Sequence, residues 1–287
     1  MQPMQPFPIP VVTIGPGSQV EDVELDYMPM PQGMQTYAMP ILPEREELTA
    51  LQPAQRVLRA VLAATRLAAS GGVPEPVALA GLDAANLALV NQVLGEGEVS
   101  ARIEGEQSVR IQEAIFAGVW RTHVTRHGRL ASDDIDVGPV PPVLVSAARA
   151  AASVDAIVLP ERLPPGAMNA PAIATEINDA IARWRPDAPA HVINLTLLPL
   201  SPQDVGFLEQ SLSGGSVLML SRGYGNCRIL STPLPNCWRV VYYNSSDTIL
   251  LNTVEITAIP DVACAAPEDL LDSAERLAEV LEWVAGV

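Results

Sequence analysis

The sequence of 287 residues contains no lysine, and all 17 of its basic residues are arginine. Against them stand 33 aspartates and glutamates, for a formal net charge of −16. GC-rich codon usage accounts for the arginine bias. An acidic chain with scattered arginines is a poor match for a phosphate backbone, so nucleic acid is not an expected partner. Cysteine is scarce too. Three of them, an odd number in a chain this long, make no disulfide framework. No CxxC pair occurs, and the spacing of Cys227 and Cys237 is neither a zinc nor an iron–sulfur spacing. With three histidines and no GxSxG elbow, nothing supports a hydrolytic triad. No apolar run reaches the ~18 residues of a membrane span, so no transmembrane segment is expected. The start, MQPMQPFPIPVV, lacks the basic n-region of a signal peptide. A cytoplasmic protein that is not an enzyme, with neither cofactor nor metal, is the expectation.

What is present is core-forming material, 48% of it hydrophobic, in a length that suits one large domain or two ordinary ones. Residues 1 to 43 carry nine prolines and six of the eight methionines. Proline fixes φ and removes an amide donor, so no regular helix or central strand is expected there. Either a disordered tail or an extended arm lying along a groove, on its own body or on a partner, fits that composition. Phe7, Ile9, Val11, Leu25, Tyr27 and Tyr37 are apolar for a solvated tail and favour the arm.

The rest of the chain holds a faint internal repeat. An offset of 118 residues gives eight identities over the 28 positions from Leu94 to Arg121, among them Gly97 with Gly215, Arg110 with Arg228, Trp120 with Trp238 and Arg121 with Arg239. A further shift of one residue aligns Val137 and Pro141 with Ile256 and Pro260. Two copies indicate a duplication and not a solenoid. Helical spacing runs from about Glu46 to Gly71. A second helix follows Asp83, and Ser201 stands at the equivalent cap. After each capped helix the pattern alternates: strands are expected near residues 98–104, 109–116, 119–125 and 135–137, and again at 216–221, 226–231, 237–243 and 248–257. Short turns make antiparallel pairing the expected one. Residues 143–153, 170–185 and 267–284 read as helices, the last amphipathic and suited to covering a sheet.

The expected fold is therefore α+β: a duplicated helix–helix–antiparallel-sheet unit, with a proline-rich extended N-terminal arm and a C-terminal helix. The expected boundaries are 1–45 for the arm, 46–142 for the first unit, 143–165 for a helix and linker, and 166–287 for the second unit with the C-terminal helix.

Cys227 and Cys237 stand where the first copy has Val109 and Val119, which are apolar strand positions. Buried free cysteine behaves as a small hydrophobe, so both read as core, with Cys227 keeping an alternative as a soft-metal or thiol contact. Gly223-Tyr224-Gly225 joins strands and opens no helix, so it is no phosphate loop. It is either a glycine hairpin turn or a turn presenting Tyr224 as a partner contact. Asn244-Ser245-Ser246-Asp247 reads as a hairpin turn. Trp120 and Trp238 read as anchors of equivalent core layers, with Arg121 and Arg239 free to stack or to pair with carboxylates.

Three stretches carry a family resemblance: PIPVVTIGPGSQVEDVELDYMPMPQGMQTYAMPILPE at residues 8–44, LGEGEVSARI with IQEAIFAGVW, and GYGNCRILSTPLPNCWRVVYYNSSDTILLNTVEI from Gly223. On these the chain resembles the hydrogenase expression/formation proteins of the HupH/HyaF type, accessory to uptake [NiFe] hydrogenases. The resemblance implies a chaperone-like protein tied to maturation of the hydrogenase small subunit, the one with iron–sulfur clusters and a twin-arginine signal. A thioredoxin-like accessory protein would act beside it. The expected partner-binding residues are Gly223, Tyr224, Gly225, Asn226, Cys227, Arg228, Tyr243, Asn244 and Asp247. The alternatives are an iron–sulfur or metal carrier using Cys227 and a thiol-dependent enzyme.

Overall fold

The computed structural model describes residues 51–285 other than Asp187, Gly223 and Tyr224. The arm expected over residues 1–45 lies outside the described residues.

The first half of the chain runs α1 (Gln52–Ala69), β1 (Val77–Ala78), α2 (Ala84–Leu94), β2 (Val99–Ile103), β3 (Gln107–Glu113), β4 (Val119–Arg126), β5 (Arg129–Val137) and α3 (Pro142–Ala151). The second half runs α4 (Ala170–Arg183), β6 (His191–Asn194), α5 (Pro202–Leu212), β7 (Val217–Ser221), β8 (Asn226–Ser231), β9 (Cys237–Tyr243), β10 (Ile249–Ile256) and α6 (Pro267–Ala285). Helices and one antiparallel sheet make the class α+β. The sheet has ten strands in the order β1-β5-β4-β3-β2-β7-β8-β9-β10-β6. Strands at equal distance from the centre occupy the same place in their own halves. The central pair, β2 and β7, is antiparallel, with Val99 opposite Ser221 and Ile103 opposite Val217.

Helix starts are fixed by side chains. Asp83 accepts the Asn86 amide at 2.9 Å. Ser201 and Asp204 exchange bonds in a capping box, each side chain accepting the other's amide at 3.0 Å. The third residue of each capped helix then reaches the start of the neighbouring helix. Asn86 Oδ1 accepts the Ala54 amide at 2.9 Å. Asp204 Oδ1 accepts the amides of Met168, Asn169 and Ala170 at 2.8, 2.9 and 2.8 Å. These amides have no partner within their own helix.

Other features recur at matching places. The indole of Trp120 donates to the Gly138 carbonyl at 2.9 Å and that of Trp238 to the Thr257 carbonyl at 3.2 Å, both rings being buried. Gly97 and Gly215 mark the same close backbone approach. A Cβ at Gly97 would fall 2.1 Å from the Ala114 carbonyl oxygen, and one at Gly215 would fall 1.9 Å from that of Ser231.

Three apolar clusters hold the layers together. One packs α1, α2 and α6 on β4 and β5, around Leu58, Val61, Leu89, Phe116 and Ile135. One packs α4 and α5 on β9, β10 and β6, around Ile173, Ile177, Leu208, Cys237 and Val254. The third lies on the opposite face of the central strands, around Trp120, Met219, Ile229 and Trp238, beneath Leu144 of α3. Each fully buried aliphatic side chain contributes about 1.5–3 kcal/mol here.

The structure departs from expectation in three places. Edge strand β1 was not foreseen, and it is short. β5 starts at Arg129, well before Ile135, because His127 and Gly128 adopt φ of 49° and 74° and close a tight hairpin. The C-terminal helix, assigned to the second unit, instead places Leu277, Val280 and Leu281 in the first half's core. The segment after β5 crosses the other way: Ile157 joins the second half's core and exchanges hydrogen bonds with the Asn178 amide at 2.8 and 3.0 Å. An amphipathic pattern states that a helix has a covering face, but not which surface it covers.

Two carboxylates tie this architecture to pH. Burial alone would raise Asp204, but the amides of Ala170, Ser201 and Met168 and the Ser201 hydroxyl more than offset it and bring it down to about 2. Its folded value lies below its unfolded one, so its stabilisation is present above pH 3.8 and lost as pH falls towards 2. That amounts to about 2 kcal/mol. Asp204→Ala should cost about 3 kcal/mol in urea unfolding at pH 7, because at least three amides lose their acceptor. Glu113 moves the other way. Burial pushes it up to about 7, against the amides of Gly118 and Val99. Its stabilisation is complete below pH 4.5 and is lost as pH rises through 7. Glu113→Gln keeps an acceptor for the Gly118 amide, and should flatten that slope, about 3 kcal/mol at most, in unfolding curves taken from pH 5 to 8.

Candidate functional site

Paired residues on antiparallel strands point to the same side of a sheet. The registers therefore fix what the helix-bearing face presents between its two helical covers. Across β2, β3 and β4, Arg102 stands opposite Arg110 and Arg110 opposite His123, while Ser100 stands opposite Gln112 and Gln112 opposite Arg121. Across β2, β7, β8 and β9, Arg102 faces Leu218, Leu218 faces Leu230 and Leu230 faces Arg239, while Ser100 faces Leu220 and Leu220 faces Arg228. Five of the 17 arginines thus share one side of the central strands. The scatter seen along the sequence is gathered by the fold. A cavity of about 470 Å³ lies here, with Arg102, Arg110, Arg121 and His123 on its walls, Leu218 and Leu220 beneath, and Leu94 of α2 at one side. The exposed carboxylates of Glu96 and Glu104 also line it.

Two of these arginines clamp helices to the sheet. Arg121 holds Asp133 with two bonds of 2.9 and 2.7 Å and also donates to Asn91 of α2. Arg239, buried, donates to Asn252 at 3.3 Å and lies 3.7 Å from Glu209 of α5. Each arginine thus has one carboxylate and one amide, but the two have changed places between strand and helix. His123 Nε2 sits 3.0 Å from Asp133 as well. Arg102 and Arg110 stand directly opposite each other on β2 and β3. Directly opposite like charges destabilise a sheet, and Glu104 lies 3.5 Å from Arg102 with an exposed side chain. Such a pair on a half-apolar floor has the chemistry of an anion site: forked donors for carboxylates beside apolar side chains.

The expected partner-binding residues gather where β8 begins and β9 ends. Gly225 is exposed with φ of 101°, and Asn226 pairs with Tyr243. The Arg228 guanidinium stacks over the Tyr243 ring, 4.8 Å from its centre, and so joins this end to the arginine-lined face. Asn244 Oδ1 accepts the amides of Ser246 and Thr248 at 2.9 Å each, and Asp247 completes the turn with φ of 56°. Gly223 and Tyr224 lie outside the described residues. Cys227, in contrast to Arg228, faces the central core at 1% exposure. Burial pushes its thiol up to about 12, as it does that of Cys237. Cys264, half-buried, is pushed up to about 11. Among the described residues no group of three or more histidines, cysteines or carboxylates could hold a metal ion. No described helix is long and apolar enough to cross a membrane.

The chain was compared with known proteins. A family model described as "HupH hydrogenase expression protein, C-terminal conserved region" matches residues 51–157 and 167–284. The hydrogenase expression/formation protein HoxQ of Cupriavidus necator is 57% identical over 284 residues, covering 99% of this chain and 100% of that protein. HupH of Rhodobacter capsulatus is 46% identical, over 97% of this chain and 98% of that protein. The hydrogenase-1 operon protein HyaF of Escherichia coli K12 is 34% identical, over 95% of each. A solved hydrogenase expression protein HupH from Thiobacillus denitrificans covers 42% of this chain and 97% of its own, at 26% identity and a TM-score of 0.37.

The thiolate, not the thiol, is what reacts. At pH 8, iodoacetamide should leave Cys227 and Cys237 unmodified in the native protein, while all three cysteines react in urea. Mass mapping of the alkylated peptides reads this. Rapid native labelling of Cys227 would contradict its placement in the core.

Proposed function

This chain belongs to the HupH-type hydrogenase expression/formation protein family, and from that premise we propose that it serves hydrogenase maturation by binding and not by catalysis. The partner in this reading is the iron–sulfur small-subunit precursor, held in the cytoplasm until its clusters are in place and export can follow. A thioredoxin-like accessory protein would act beside it. Family membership is the observation that carries the reading. The strand-end surface from Gly225 to Asp247 supports it, because it joins a stacked Arg–Tyr pair to a fixed turn beside the arginine-lined face. Rigid aromatic and arginine groups of this kind are where binding energy concentrates. The burial of Cys227 gives no support to a carrier that uses its thiol.

We read the two halves as products of a duplication. The mirrored strand order, the paired tryptophan bonds and the two stretches matched by the family model favour it. On that reading the units span residues 46–142 and 166–287, except that α6 serves the first unit's core.

In an anaerobic pull-down, the chain should capture the signal-bearing small-subunit precursor in preference to the signal-free form. Tyr224→Ala should weaken capture about tenfold, as loss of an interface aromatic does. Capture of neither form, under argon or air, would overturn the reading.

A further inference from the structure

The arginine-lined face has a complementary segment in the same chain. Residues 1–50 contain seven carboxylates and one arginine, and four of the carboxylates fall within Glu21–Asp26. Asp22, Glu24 and Asp26 alternate with Val23, Leu25 and Tyr27. In an extended segment such alternation sends acids to one side and apolar groups to the other, with like groups spaced about 7 Å apart. The cavity offers the complementary charge: Arg102 and Arg110 stand side by side on neighbouring strands, and Arg121, Leu218 and Leu220 also line it. We propose that the acidic segment Glu21–Asp26 docks in this groove of its own chain, with its carboxylates on Arg102 and Arg110.

The tether permits it. Twenty-four residues lie between Asp26 and Leu51, the residue before α1, and can reach about 80 Å. The groove lies over strands only a few places from β5, on which α1 packs; at about 4.8 Å per strand this is some 20 Å. A tether of this length would hold the segment at an effective concentration near the millimolar range, so contacts of modest individual strength suffice. The charge balance fits as well. Four carboxylates face the two guanidinium groups that the sheet register sets side by side. The inference stands independently of which protein the chain serves.

The absence of lysine supplies the test. Arg110→Lys in the full chain places one amine in the groove, and carbodiimide then joins it to any carboxylate in contact. Arg185→Lys, on an exposed loop, is the control. Peptide mapping should find position 110 linked to Glu21–Asp26 within monomeric chains. The yield should be about tenfold above that from position 185, and should fall in about 1 M salt, where screening acts over ~3 Å. A link from position 110 to Glu104, which lines the same cavity, shows that the amine is reactive and the variant folded. That link without one to the arm would overturn the proposal. A link to the arm of a second copy, seen as a cross-linked dimer, would overturn docking within one chain.

Discussion

The antiparallel pairing of β2 with β7 is the constraint on which the other features depend. Without it the two halves would be separate sheets, each carrying its helices on one face. With it ten strands share one hydrogen-bonded ladder, and the helices of each half stand over its outer strands. The central strands are left with one face for α3 and the Trp120–Trp238 layer, and another for the arginines. A groove between two helical covers is therefore a product of the join. Its lining comes from both halves, Arg102 and Arg110 from one and Leu218 and Leu220 from the other.

Matching positions in the two halves keep a physical task more faithfully than a residue. Asn86 and Asp204 both cap a neighbouring helix, one neutral and one ionised. Arg121 and Arg239 both fasten a helix to the sheet, with the carboxylate on the strand in one half and on the helix in the other. Glu113 and Ser231 both accept an amide near the start of the central strands, from Gly118 and Val217 respectively. Two of these pairs set an ionisable side chain against a neutral one: Glu113, raised by burial, answers Ser231, and Asp204, lowered by its amides, answers Asn86.

Much of this was legible in the sequence. β8 and β9 begin and end where the sequence placed them, because Asn226–Ser231 alternates and Cys237–Tyr243 is a run rich in β-branched and aromatic residues between flanking turns. The caps at Asp83 and Ser201 were readable from their short polar side chains, and the cysteines read as core because Val109 and Val119 stand in their places. The groove was not legible. Arg102 and Arg110 are eight residues apart in the chain, and only the β2–β3 register sets them side by side. The signal available was the alternation itself, since Arg102 lies between Ala101 and Ile103, and Arg110 between Val109 and Ile111. Long-range pairing also decided the fate of α6, and a hydrophobic stripe does not encode its partner.

The crossing of α6 orders events in time. Leu277, Val280 and Leu281 complete the core that Leu58, Val61 and Leu89 begin, although Leu277 lies 188 residues beyond Leu89. During synthesis the first half leaves the ribosome long before its covering helix is made, and a domain generally folds as a unit once its parts are present. The earliest segment must therefore wait for the latest, with its apolar helix faces uncovered meanwhile. A chain truncated near its end would lose the first half's core and not merely its tail.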